Sequence, residues 1–261
     1  MRRLHLFEFG DLPWFPQVLR DAETAYLAAS YRVLPMLARL WAEKIAIVLR
    51  PGEPAEILDL CSGSGGAMPM ILDELERHGY TARATLTDLY PNPKSASHPR
   101  IAWVAEPVDA SRVPPELAGV RTMCSAFHHF RPDAAKAILN DAFERRRAIC
   151  ILEGGSGTLS AAAAMVGVPL AVLALMPFAR PLRRAYLVFT YLIPVVPLML
   201  LWDGMVSLLR IYSPEQMREL IAGLEAPDYT WETGRIQVRG IPGGLPYLIG
   251  RPINDRCVLP I

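Results

Sequence analysis

Ile57-Leu58-Asp59-Leu60-Cys61-Ser62-Gly63-Ser64-Gly65-Gly66 is the stretch on which the reading of this chain turns. Apolar positions lead into a turn of small residues, and Ala67-Met68-Pro69-Met70-Ile71-Leu72 follows with helical spacing. The pattern is a strand, a tight glycine turn and a helix start, which points backbone N–H groups at a polar ligand. A dinucleotide fingerprint wants Gly or Ala five residues after Gly63. Met68 stands there instead, which disfavours a nicotinamide cofactor.

Working outward, Arg50-Pro51-Gly52-Glu53-Pro54 is a breaker cluster that marks where the core begins. Strand patterns recur at 84–88, 101–104, 121–127 and 148–153, with helical spacing before and after them. Strand alternating with helix at these intervals predicts a doubly wound, mostly parallel sheet. Asp88 ends the second strand, where a carboxylate can accept from both ribose hydroxyls of a nucleoside. Leu89-Tyr90-Pro91-Asn92-Pro93 cannot continue as a regular helix, and its backbone would lie along an adenosine. His128 and His129 fall just past the fourth strand, at the edge where open α/β sheets bind ligands.

The order Asp59, Cys61, Gly63, Gly65, then Asp88, then Asp109-Ala110, resembles the class I, Rossmann-like S-adenosylmethionine-dependent methyltransferases. The resemblance covers roughly residues 50–153 and, more loosely, 213–251. It implies a seven-stranded sheet whose last strand is antiparallel, and S-adenosylmethionine as cofactor. Asp59, Cys61, Gly63 and Gly65 would hold its methionine portion, Asp88 the ribose, Leu89 the adenosine and Asp109 with Ala110 the adenine amino group. Ser125, ending the fourth strand, is added to that set. The implied activity is methyl transfer to a small, partly apolar acceptor, with O-methylation preferred and His128 or His129 as the base. N- or C-methylation in the same pocket is the alternative, as is a membrane-associated enzyme acting on a lipid-like substrate.

The 261 residues carry a formal net charge of +1, so no global field recruits nucleic acid. Cys61, Cys124, Cys150 and Cys257 lack ligand spacing, and a sulfonium donor already carries an electrophilic carbon, so no metal is expected. Reduced thiols, and no signal peptide in the first residues, suggest a cytoplasmic protein.

Four segments emerge. Residues 1–49 supply an aromatic strap (Phe7, Phe9, Trp14, Phe15) and N-terminal helices divided at Pro35, with Tyr26 and Tyr31 as possible substrate contacts. Residues 50–153 form the cofactor-binding core, and residues 213–261 complete it with a helix and strands. Residues 154–212 hold two apolar runs, 156–177 and 183–202, around Arg180, Arg183 and Arg184. Proline interrupts both runs, so an inserted helical cap enclosing an apolar chamber is favoured over membrane spans, with peripheral membrane contact through 156–202 as the second reading. Tyr186 and Tyr191 could line that chamber. Asp203 would bind an amine substrate, hold a histidine or pair with Arg210, and the Gly240–Gly244 stretch reads as a flexible loop at or near the substrate opening.

Overall fold

The computed structural model describes residues 3–91, 98–239 and 241–253. Asn92, Pro93, Gly240 and Cys257 lie outside them. Five parallel strands are β1 (Ala55–Asp59), β2 (Ala82–Leu86), β3 (Ile101–Trp103), β4 (Val120–Cys124) and β5 (Ile149–Leu152). With β6 (Tyr229–Val238) and β7 (Ile241–Pro252) they form one seven-stranded sheet in the order β3-β2-β1-β4-β5-β7-β6. β7 runs antiparallel to both neighbours, with Cys150 opposite Ile249 and Glu232 opposite Ile249 on the other side. The doubly wound, mostly parallel sheet expected from the sequence is therefore present. The strand order reverses between β1 and β4, which opens a crevice at their carboxyl ends.

Helices cover both faces because neighbouring strand residues point to opposite sides. Ile57 packs with Trp41, Ala42 and Ile45 of α2 (Met36–Ala46) and with Ile71, Leu72 and Leu75 of α3 (Met68–Arg77). Leu58 points the other way, toward Ile138 and Leu139 of α4 (Pro132–Glu144). Beside α4 lie Met217 and Leu220 of α9 (Pro214–Leu220). Ser213 caps α9 as its sequence predicts. Its Oγ accepts from the Gln216 N–H at 3.3 Å and Gln216 Oε1 accepts from the Ser213 N–H at 2.9 Å, a capping box worth about 1 kcal/mol.

After β5 the chain adds α5 (Leu159–Ala164), α6 (Val168–Leu175), α7 (Arg184–Leu187) and α8 (Val195–Arg210). Of these, α6, α7 and α8 pack on α1 (Gln17–Val33), while α5 sits against α8 and β7. Val172, Met176, Tyr186, Val196 and Met199 share a core with Phe15, Ala22, Ala25 and Tyr26. Tyr26 and Tyr186 are thus packing residues, and Tyr191 is exposed, its hydroxyl donating to the Leu173 carbonyl at 2.5 Å. Arg183 ties the cap to α1 through Asp21 at 2.7 Å.

The glycine-rich loop is corrected. β6 and β7 are both longer than their apolar cores suggest. Ile241 opens β7 opposite Val238, and the register shift between Ile236 and Val238 accommodates Gly243 (φ 82°) and Gly244 (φ 64°). Glycine serves there as the left-handed hinge of a β-bulge, which sequence pattern alone does not separate from a loop.

Candidate functional site

The turn after β1 is built on left-handed backbone. Gly63 (φ 55°), Gly65 (φ 87°) and Gly66 (φ 46°) adopt it freely, whereas Cys61 (φ 57°) holds it at a cost of about 1 kcal/mol or more. A Cβ on Gly63 would come within 3.1 Å of Thr24 Cγ2, because α1 lies directly across the turn. Thr24 Oγ1 and Ser64 Oγ meet at 2.5 Å.

Asp88 closes the turn from the next strand. Its Oδ2 accepts from the Gly63 N–H at 2.7 Å and its Oδ1 from the Tyr90 N–H at 2.8 Å. A carboxylate has about four lone-pair positions, so both oxygens can still accept from a ligand.

Asp59 sits below the turn. It is buried, accepting from Thr122 Oγ1 at 2.6 Å and Ser62 Oγ at 2.7 Å. Burial pushes its carboxyl up to about 6, the two hydroxyl hydrogen bonds opposing only part of that rise. A carboxyl raised in the folded state contributes stability that is full below the unfolded value near 3.8 and lost as pH rises through 6. We expect the ligand-free protein to lose about 1.4 kcal/mol from this group between pH 5 and pH 7.5. Urea unfolding of wild type and Asp59→Asn at the two pH values measures it. Identical pH slopes in the two proteins would show that Asp59 does not titrate in this window.

A cavity of about 570 Å³ opens at the carboxyl ends of β1, β2 and β4. Cys61, Gly63, Asp88, Leu89, Ser125 and His129 of the expected site line it, as does Tyr31. Asp59, Gly65, Asp109, Ala110, His128 and Asp203 are not in its wall. Ala110 is buried in the core beside α4. Asp109 is exposed and accepts from the Ser111 N–H and Oγ at 2.8 and 2.7 Å, so its carboxylate closes an Asx turn. No residue of 156–202 lines this cavity; Val195, Leu198, Met199 and Trp202 of the cap instead border, with Phe7, Phe9 and Phe15 of the strap, a separate apolar pocket of about 430 Å³. A larger cavity of about 980 Å³ lies at the opposite, amino-terminal edge of the strands, away from the glycine turn.

The two histidines differ. His128 is buried, and Glu153 holds it twice, through Nδ1 at 2.8 Å and through its backbone N–H at 3.0 Å. His129 Nδ1 meets Asp11 Oδ1 at 2.7 Å and Glu8 Oε2 at 3.4 Å. Burial lowers the affinity of His129 for a proton, but Glu8 and Asp11 outweigh it and raise the imidazole to about 9. It is protonated at neutrality. The base role expected for it would need a pH above that value.

Asp203 does not pair with Arg210. Seven residues along a helix are about 10 Å apart, and Ser207 bonds the Asp203 carbonyl between them. Asp203 Oδ1 accepts instead from the Phe9 N–H at 2.9 Å, while Arg210 binds Glu8 at 3.1 Å and Asp11 at 2.6 Å. Burial raises the Asp203 carboxyl, and Glu8 adds to the rise; burial and Asp203 do the same to Glu23 in the cavity wall.

Several residues in or behind the cavity wall escape the sequence reading: Gln17, Arg20, Asp21 and Thr24 of α1, and Glu8, Asp11 and Glu153. The first four carried a signal, since steps of three and four residues put them on one polar face beside the apolar stripe of α1.

No family model and no curated protein matches the chain. Among solved structures, the plantazolicin methyltransferase BpumL in complex with SAH is similar over 93% of this chain and 92% of its own, at 11% identity and a TM-score of 0.51. The CMeT domain of the citrinin polyketide synthase (15% identity, TM-score 0.48) and the mitomycin 7-O-methyltransferase MmcR (16%, 0.46) are similar over 82% of this chain. That span is about half the length of each of those two chains. At 11% identity the likeness to BpumL establishes a common fold over nearly the whole of both chains.

Proposed function

We propose that the chain transfers a methyl group from S-adenosylmethionine to a small, partly apolar acceptor. The observation that carries this reading is the single cavity at the topological switch point, which joins the glycine turn, Asp88 and His129. The donor, when bound, supplies an electrophilic methyl on its sulfonium. Asp88 accepts from the ribose hydroxyls, Leu89 and Tyr90 flank the adenosine, and Gly63 and Ser125 border the methionine portion. Asp59 acts from below by fixing the turn. Tyr31, Glu23 and His129 face the acceptor.

O-methylation fits the charge of His129. Its imidazolium donates a hydrogen bond to the acceptor oxygen and favours the ionised form, so the acceptor arrives without its proton and no base is needed at the moment of transfer. His128, behind the wall, positions its neighbour. A second reading, methylation of an amine, is favoured by Glu23 in the same wall.

S-Adenosylhomocysteine binding by calorimetry, set against NAD, tests the donor. We expect micromolar binding of the first and none of the second; the reverse pattern overturns the proposal. With a phenol or carboxylic acid that accepts methyl groups, His129→Gln should slow transfer about 100-fold with donor affinity retained.

The cap supports peripheral membrane contact. The run Ala161–Phe178 has a mean hydropathy of 2.1 with only 11% of it buried, and Arg180 and Arg184 lie exposed beside it. Flotation with anionic but not neutral vesicles is the expected result, and failure to float with either removes this part of the reading.

A further inference from the structure

Behind the cavity wall the strap and the loop after β4 bring two imidazoles and two carboxylates together. Glu8, His128 and His129 each offer one donor atom, all within 4.8 Å of one another. His128 Nε2 lies 4.0 Å from Glu8 Oε1, and His129 Nδ1 lies between Glu8 Oε2 at 3.4 Å and Asp11 Oδ1 at 2.7 Å.

The decisive atom is His128 Nε2. Glu153, buried and acceptor-only when ionised, takes the hydrogen bond of Nδ1, which assigns the proton to Nδ1 and leaves a lone pair on Nε2. His128 is 4% exposed, and Nε2 has no hydrogen-bond partner among the described residues. A second proton there would not settle it, because 4.0 Å to the Glu8 oxygen is too long for a hydrogen bond. A buried lone pair facing a buried carboxylate is the arrangement a cation satisfies. Carboxylate, imidazole and ion in series is also how metal-bound histidines are commonly oriented.

We infer that Glu8, Asp11, His128 and His129 bind one first-row divalent transition-metal ion. Two imidazole nitrogens with carboxylate oxygens suit zinc and its neighbours better than calcium or magnesium, which prefer all-oxygen shells. An ion about 2.1 Å from each donor needs them roughly 3.4 Å apart, so donors now up to 4.8 Å apart must close by up to about 1.4 Å and the 2.7 Å pair of His129 and Asp11 must open, movements of side-chain ends. The ion replaces the Nδ1 proton of His129, its charge stands in for that of the imidazolium while Nε2–H still donates to the acceptor, and it fastens residues 8–11 to the loop after β4. Arg210 stays outside the shell, on Glu8 Oε1 and Asp11 Oδ2. Glu153 is a positioning residue.

Metal binding is read without any methyl transfer, so this inference and the proposed function can fail separately. Chelator-treated protein is titrated with Zn²⁺ alone by calorimetry, and with Co²⁺ alone by visible absorption. One equivalent per chain, at micromolar affinity or tighter, is expected, with the Co²⁺ bands of a nitrogen and oxygen shell. His129→Gln, half-buried and tolerant of substitution, and Glu8→Gln should each weaken binding at least about 10-fold; Glu153→Gln should weaken it about 10-fold or more through the orientation of His128. His98→Gln, on the opposite face beside Asp73, should change nothing. Absence of a one-equivalent site, Co²⁺ bands of a thiolate shell, or affinity unchanged in both His129→Gln and Glu8→Gln overturns the inference.

Discussion

Asp88→Ala is expected to lower affinity for S-adenosylhomocysteine about 100-fold, while Asp109→Ala lowers it less than about 3-fold. The difference follows from where the two carboxylates are held. Asp88 already organises two backbone N–H groups, from Gly63 and Tyr90, both in the cavity wall. Its loss removes the acceptor for the ribose hydroxyls and leaves the turn without its clamp. Hydrogen bonds to a charged group contribute about 1.5–3 kcal/mol each, so loss of one corresponds to about 10- to 150-fold, and loss of two at the lower figure to about 150-fold. Asp88→Asn keeps one acceptor oxygen and should fall between. Asp109, exposed and engaged with Ser111, has no comparable position. Calorimetric titration of the three variants checks the ranking. Should Asp109→Ala cost more than Asp88→Ala, the adenine contact implied by the family resemblance stands and the cavity wall drawn here is wrong.

What was readable in advance follows from the kind of interaction that encodes it. Strands β1, β3 and β5 announce themselves as short, largely apolar runs and β2 and β4 as short β-favouring stretches that mix apolar and polar residues, and that information is local. Ile57 and Leu58 pack against opposite helical layers, so neither face could tolerate a polar residue at those positions. The long β7 was hidden because Gly243 and Gly244 carry turn chemistry that a bulge also uses. At the site, Asp88 and His129 were legible from their place at strand ends. Glu8, Asp11 and Glu153 were not. Each acquires its meaning only across a large sequence separation, as when His129 meets Asp11 or His128 meets Glu153. An aromatic strap with two acids among Phe, Gly and Pro gives no local sign that its acids, not its rings, reach the histidines. The cap misled for the converse reason. Its apolar runs predict burial, but Val166 (74% exposed) and Leu192 (77% exposed) face outward, while the buried remainder packs on α1 and borders an apolar pocket under the strap, away from the glycine turn.

The largest effect on stability is expected at Arg210, the cation on which that strap is anchored. Its side chain is 1% exposed, and Glu8 beside it is 2% exposed. The guanidinium binds Glu8 at 3.1 Å and Asp11 at 2.6 Å, and its Nε and Nη2 both donate to the Leu6 carbonyl. Its own backbone carbonyl accepts from Arg3 Nε at 2.5 Å, so the strap is gripped from both sides of the helix end. Arg210→Met keeps the length and the apolar stem but removes the charge. Glu8 is then left buried near Asp203 with its main counter-charge gone, and breaking a buried pair this way costs about 3–5 kcal/mol. Set against a total stability of about 5–15 kcal/mol, that is a large fraction. Arg210→Lys retains the charge but cannot serve three carbonyl and carboxylate partners with one planar fork, so it should lose less, about 1–2 kcal/mol. The double variant Arg210→Met/Glu8→Gln discriminates between lost attraction and stranded charge. If the cost is mainly the stranded carboxylate, neutralising it recovers roughly half of the loss. Urea unfolding gives the global figure, and limited proteolysis within residues 4–16 shows whether the strap is released before the sheet melts. A loss below about 1 kcal/mol in Arg210→Met with the strap still protected would mean that the strap is held by its aromatic contacts, Phe7 on Trp202 and Phe9 on Phe15, and not by Arg210.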